Sequence, residues 1–153
     1  MTYNNTNDQF ISQFIAERMI YMSKAYDFFK KAGVFYLATT DSNGQAKVRP
    51  FGALCEFEGK LYLVTNNKKD VYKQLLANPK AEMCALGAGG WMRVTGELKE
   101  DTRREARVAM MNENEKSLSS MYSVDDNLMT VFYFENATVT SYLNGQEPVV
   151  EKL

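Results

Sequence analysis

Residues 46–79, AKVRPFGALCEFEGKLYLVTNNKKDVYKQLLANP, decide the fold. Residues 46–57 read as one strand, Glu58 and Gly59 turn it, and KLYLVT alternates as a second strand with one buried face. A polar loop carrying Lys68 and Lys69 follows. Val71 and Leu75 then share one face of a helix that starts near Asp70, and Pro79 excludes the helical conformation at Asn78. A strand, a cationic loop and a helix start, in that order, can hold an anionic group. The two lysines and the free N–H groups of the first helical turn face its charge, while Arg49 and the strand backbone bring a flat moiety alongside. A phosphate-bearing, nucleotide-type cofactor has that shape.

Upstream, Phe10, Ile11, Phe14, Ile15 and Met19 recur at helical spacing and suggest an added helix over residues 1–21. A second helix is expected from Ser23, as N-cap, through AYDFFKKA to Gly33, with Tyr26 and Phe29 inward. VFYLATT is a strand by its β-branched and aromatic content, and DSNG turns it toward residue 46. Downstream, Lys80 to Leu86 and WMRVTGELKE are strands separated by GAGG, whose three glycines allow a plain hairpin turn or a close approach of backbone to a neighbour or ligand. Thr102 and Glu105 have capping-box spacing ahead of a helix over TRREARVAMMNEN. Two last strands are expected at 129–135 and 138–143.

Short hairpins joining most of these strands make a mainly β fold, an antiparallel barrel of about six strands with flanking helices, over residues 22–153. Such a barrel is too narrow to enclose a dinucleotide-sized molecule. A flat cofactor would lie outside it and need a second subunit to cover its other face, which favours a two-fold homodimer.

Composition narrows the chemistry. Eighteen Lys and Arg against 19 Asp and Glu leave a formal charge of −1, with no overall field for nucleic acid or an anionic membrane. No apolar run approaches the ~20 residues of a membrane span, and the N-terminus lacks a signal-peptide core, so a cytoplasmic location is expected. Histidine is absent, which removes Ser-His-Asp and Cys-His mechanisms. Cys55 and Cys84 cannot form the usual zinc ligand sets and read as reduced thiols. Cofactor-borne redox chemistry is compatible with a chain that has no histidine.

The succession GVFYLATTDSNGQAKVRPFGALCEFEGKLYLVTNNKKDVYKQLLANP, WMRVTGELKEDTRREARVAM and LSSMYSVDDNLMTVFYFENATVTSY resembles the NimC/NimA (nitroimidazole-resistance) branch of the pyridoxamine-5′-phosphate-oxidase-like flavoproteins. The resemblance implies a split β-barrel homodimer with FMN at the subunit interface. It implies that Arg49, Pro50 and Phe51 lie along the isoalloxazine ring and that Thr65, Asn66, Lys68 and Lys69 hold the ribityl phosphate and the ring edge. It also implies that Trp91 reaches the flavin, from the other subunit; core or interface packing is the alternative for this residue. Arg49 could bind phosphate in a fork or sit by the N1–C2=O edge. The implied activity is an FMN-dependent oxidoreductase passing electrons, from NAD(P)H or another donor, to a small organic acceptor. A non-catalytic FMN- or haem-binding module is the alternative. The chain ends NGQEPVVEKL, without the Trp, Arg and His of true pyridoxamine-phosphate oxidases, so vitamin B6 oxidation is not expected.

Overall fold

The computed structural model describes residues 5–153, so the first four residues of the expected extension lie outside it. One helix, α1 (Asn5–Ala32), replaces the two expected. Ser23 is an interior residue of it, because nothing between Met19 and Lys24 breaks helical geometry. Gly33 ends the helix in the left-handed region at φ 75°, and its N–H donates to the Phe29 carbonyl. The buried residues of α1 are Met22, Ala25 and Phe29, in its C-terminal part, and these pack it on the barrel.

The strands follow as β1 (Phe35–Thr40), β2 (Ala46–Phe51), β3 (Leu54–Phe57) and β4 (Lys60–Asn66), then helix α2 (Asp70–Ala77). β5 (Lys80–Gly87) and β6 (Gly90–Asp101) precede α3 (Arg104–Leu118), and β7 (Met129–Leu143) and β8 (Val149–Lys152) close the chain. The sheet is antiparallel in the order β2-β1-β5-β6-β7-β4-β3, with β8 on β7. The stretch 46–57 is bent at Gly52–Ala53: its first half pairs with β1, its second with β4. The outermost strands of the ladder are thus consecutive in the chain, and the sheet must curl until they meet. That curl makes the split barrel.

Eight strands stand where about six were expected. The bend divides one, the tail supplies β8, and the last two expected strands merge into β7. The Glu-Asn-Ala stretch is a bulge in β7 rather than a connection: the β6–β7 register shifts between Thr95 and Glu97, and Asn136 takes φ 49°. GAGG is the β5–β6 hairpin, with Gly87 opposite Gly90.

Two cores result. Phe29, Phe35, Leu37, Leu63, Met83, Val94 and Phe132 fill the barrel. Cys55, Tyr62, Val64, Met110, Leu118 and Val131 pack between the β3-β4-β7 outer surface and α3. KLYLVT therefore buries both faces, not the single one expected, because α3 covers the second. The Thr102–Glu105 capping box does not form. Arg103 is the N-cap without a side-chain bond, and the Asp101 carboxylate accepts from the Arg103 backbone N–H instead.

Candidate functional site

A cavity of about 300 Å³ opens where the bend at Gly52–Ala53 passes under the end of α3. β2 supplies Arg49, Pro50 and Phe51, β4 supplies Val64, and Lys69 and Val71 come from the start of α2. Ser117, Leu118, Met121 and Tyr122 form its roof. Phe51 is set by a chain of aromatic contacts: it stacks on Phe35 at 6.0 Å between centroids, and Phe35 meets Phe29 of α1 edge-on at 5.8 Å. One wall is consequently flat and rigid.

The opposite end is cationic and rich in donors. The first turn of α2 has no side-chain cap at Lys69, so its leading N–H groups remain open to an anion. Lys69 lines the cavity and Lys68 stands exposed beside it; none of the ion pairs among the described residues uses either. The connecting loop is rigid, since the Asn66 Oδ1 accepts from the Lys68 N–H at 3.0 Å and the Asn66 Nδ2 donates to the Tyr122 hydroxyl at 3.0 Å. Asp70, the one acid of that turn, faces a different cleft on the far side of the helix.

Arg49 is committed to the protein. Its Nη1 donates to the Thr39 hydroxyl at 2.8 Å and to the Leu37 carbonyl at 3.1 Å, and its Nη2 donates to the Gln74 Oε1 at 2.9 Å. Partial burial lowers its pKa from the ordinary arginine value without threatening its charge. Arg49 thus straps β2 to β1 and α2 while one side of it lines the cavity. A two-pronged grip on phosphate would compete with these bonds.

The structure therefore brings Arg49, Pro50, Phe51 and Lys69 together, with Asn66 joined to them through Tyr122. Thr65 points the other way, into a narrow space beside Leu37, Leu63 and Phe132, where its hydroxyl is buried without a hydrogen-bond partner. Trp91 lies on the barrel's outer face, stacked on Tyr142 at 3.9 Å and 4° between planes, with Arg93 across both rings. It does not line the cavity. The same outer face carries exposed Tyr36, Val48 and Leu86. Leu118, Met121 and Tyr122 of the roof were not among the residues expected at the site; they are apolar or aromatic residues at the end of α3 and in its connection to β7. The only signal was that such residues are unusual in a solvated connection.

Among the described residues no helix is long and apolar enough to cross a membrane. No curated protein matches the chain. Among solved structures, a NimC/NimA family protein from Clostridium acetobutylicum is 42% identical, with a TM-score of 0.84 over 92% of this chain and 98% of that one. A pyridoxamine 5′-phosphate oxidase-related, FMN-binding protein from Nostoc punctiforme is 17% identical, TM-score 0.57, over 92% of this chain and 95% of that one. A haem-binding protein from Mycobacterium smegmatis is 14% identical, TM-score 0.62, over 81% of this chain and 57% of that one. At those lower identities the likeness is one of fold. The family model described as pyridoxamine 5′-phosphate oxidase matches residues 22–140. With that match and the 42% identity to a NimC/NimA protein, the chain belongs to the pyridoxamine 5′-phosphate oxidase family, on its NimC/NimA branch.

Proposed function

We propose that residues 22–153 form an FMN-binding unit, with residues 1–21 as an added helical segment, and that the protein is a cytoplasmic, FMN-dependent oxidoreductase acting as a homodimer. The observation that carries this reading is the pairing, in one cavity, of a flat apolar wall at Pro50–Phe51 with an uncapped helix start and Lys69. The donor set fits the cofactor: a phosphate monoester takes charge-assisted hydrogen bonds from a lysine and from helix N–H groups, and a planar ring system takes the aromatic wall. A volume of about 300 Å³ is at the low end for ligand pockets, which suits a site that one protomer only half builds. The exposed Tyr36, Val48 and Leu86 beside Trp91 support a second copy on that outer face, where Trp91 could serve the neighbour's site.

Bound there, the flavin would supply electron transfer between a reduced donor such as NAD(P)H and a small organic acceptor, for example a nitro compound or quinone. The chain's own part is to hold and orient. Lys69, supported by Lys68, and the α2 N–H groups fix the anionic end; Phe51 and Pro50 fix the plane; Arg49 keeps β2 in register and adds positive charge at the cavity edge. Leu118, Met121 and Tyr122 exclude water from above. The haem alternative draws on the fold likeness to the mycobacterial protein, but the sequence offers no histidine as axial ligand.

The visible spectrum of purified protein, before and after heat release of any chromophore, tests the cofactor. Flavin bands that appear free in the supernatant support the reading, and a Soret band or a colourless protein that FMN does not stabilise thermally would end it. Lys68→Ala with Lys69→Ala should weaken FMN binding about 10- to 100-fold and riboflavin binding much less. An equal loss for both would remove the lysines from phosphate binding. NADH- and NADPH-driven turnover with nitro and quinone acceptors separates an enzyme from a carrier of FMN.

A further inference from the structure

α1 overhangs the barrel. Eighteen residues make about five helical turns, so Ile11 points the same way as Phe29, which is fully buried against the barrel. The face that packs at Met22, Ala25 and Phe29 thus continues, beyond Arg18 and its bond to Leu153, through Ile15, Phe14 and Ile11, which stay exposed. Phe10, Ile11, Phe14, Ile15 and Met19 are each 52–78% exposed. This stripe lies ahead of the family match, which begins at residue 22.

We infer that this stripe is a docking surface for the same stripe of a second copy, packed antiparallel about a two-fold axis near Gln13. Two features favour that occupant. The first is charge: in a pairing centred on Gln13, Ile11 of each helix is level with Ile15 of the other, and Asp8 is level with Arg18. Those opposite charges stand at the two ends of the stripe, and a two-fold contact uses each pair twice. Arg18 stands two turns on from Ile11 on the same face, at the barrel end of the stripe, over the Phe14 ring at 5.7 Å and donating to the Leu153 carbonyl. The second is area. Five half-exposed side chains of this size offer on the order of 500 Å² per chain, so two copies reach the ~1,000 Å² that a specific interface needs. An anionic lipid surface does not suit the segment. Between residues 5 and 20 its charges are Asp8, Glu17 and Arg18, one cation against two acids, whereas membrane-surface helices carry cations along the polar face.

Sedimentation of the full-length protein over a range of concentrations tests this contact. Ile11→Asp with Phe14→Asp should remove one association step or raise its dissociation constant at least tenfold. Asp8→Arg and Arg18→Asp should each weaken the step several-fold, and the two together should recover it. All four positions are exposed in the single chain, so each variant should melt close to the parent. A mass indifferent to all these variants would overturn the contact, as would a charge swap that weakens further instead of recovering. Binding of the parent to phosphatidylglycerol vesicles, lost in Ile11→Asp/Phe14→Asp while the solution mass stays unchanged, would assign the stripe to a membrane and also overturn it.

Discussion

Asp101→Asn is the substitution whose effect follows most directly from the structure. The Asp101 carboxylate is buried at the end of β6. It accepts from the Arg103 Nε at 3.1 Å and Nη2 at 2.8 Å, from the Arg103 backbone N–H at 3.0 Å, and from the Tyr62 hydroxyl at 2.9 Å. Arg103 also reaches Glu58 at 2.8 Å, so one carboxylate ties the β3–β4 turn, β4 and the start of α3 together. The Arg103 guanidinium beside it, followed by the backbone and Tyr62 bonds, holds its pKa at about 2, below the ordinary 3.8. That difference corresponds to about 2 kcal/mol of stability. Because the native value is the lower one, the unfolded chain binds the extra proton first. The contribution is complete above about pH 4 and is lost as pH falls through about 2.

Asparagine keeps the shape and one acceptor but not the charge. At pH 7 urea denaturation of Asp101→Asn should show a loss of about 2 kcal/mol with an unchanged m-value. The gap between parent and variant should then close between pH 4 and pH 2 as the parent loses the same term. Two stability curves that stay parallel to pH 2, or a loss under 0.5 kcal/mol at pH 7, would refute the reasoning.

One further substitution and one reagent probe other parts of the frame. Gly90 has φ 149°, and a β-carbon there would lie 1.9 Å from the Tyr142 carbonyl oxygen on the neighbouring strand, so Gly90→Ala should cost about 3 kcal/mol or more and lower Tm accordingly. Burial raises the Cys55 thiol to about 12, so a thiol-specific chromogenic reagent at pH 8 should leave Cys55 unlabelled in native protein and reach it only after denaturation. Labelling of Cys55 in native protein would contradict the packing under α3.

Much of the frame was legible because local chemistry and tertiary packing agree. Glu58–Gly59 turns the β3–β4 hairpin, Pro79 ends α2, and the alternation of VFYLATT survives as the buried Phe35, Leu37 and Thr39 of β1. Errors arose where distant packing overrode local signals. Ser23 is a good cap only when the chain before it is not helical, and the apolar face shared by Ile11 and Phe29 keeps the helix going past it. Val64 and Tyr62 show no sign in sequence that α3 will cover them. The anion-facing end of the site could be read from Lys68, Lys69 and the helix start, since these are neighbours in the chain. Its roof could not, because Ser117 to Tyr122 reach the cavity only through the course of α3, more than fifty residues beyond Arg49.

The bend at Gly52–Ala53 bears on how the cavity can change size. Phe51 and Leu54 are three links apart, so their α-carbons can never separate by more than about 11 Å. The barrel is therefore hooped by a peptide tether rather than by a row of hydrogen bonds, and its floor has little give. The side above is fastened as well: where α3 leaves helical geometry at Asn114, that side chain donates to the Leu54 carbonyl at 3.0 Å, just beyond the bend. Floor and ceiling are thereby stapled to each other, and a guest must match the gap between them rather than widen it.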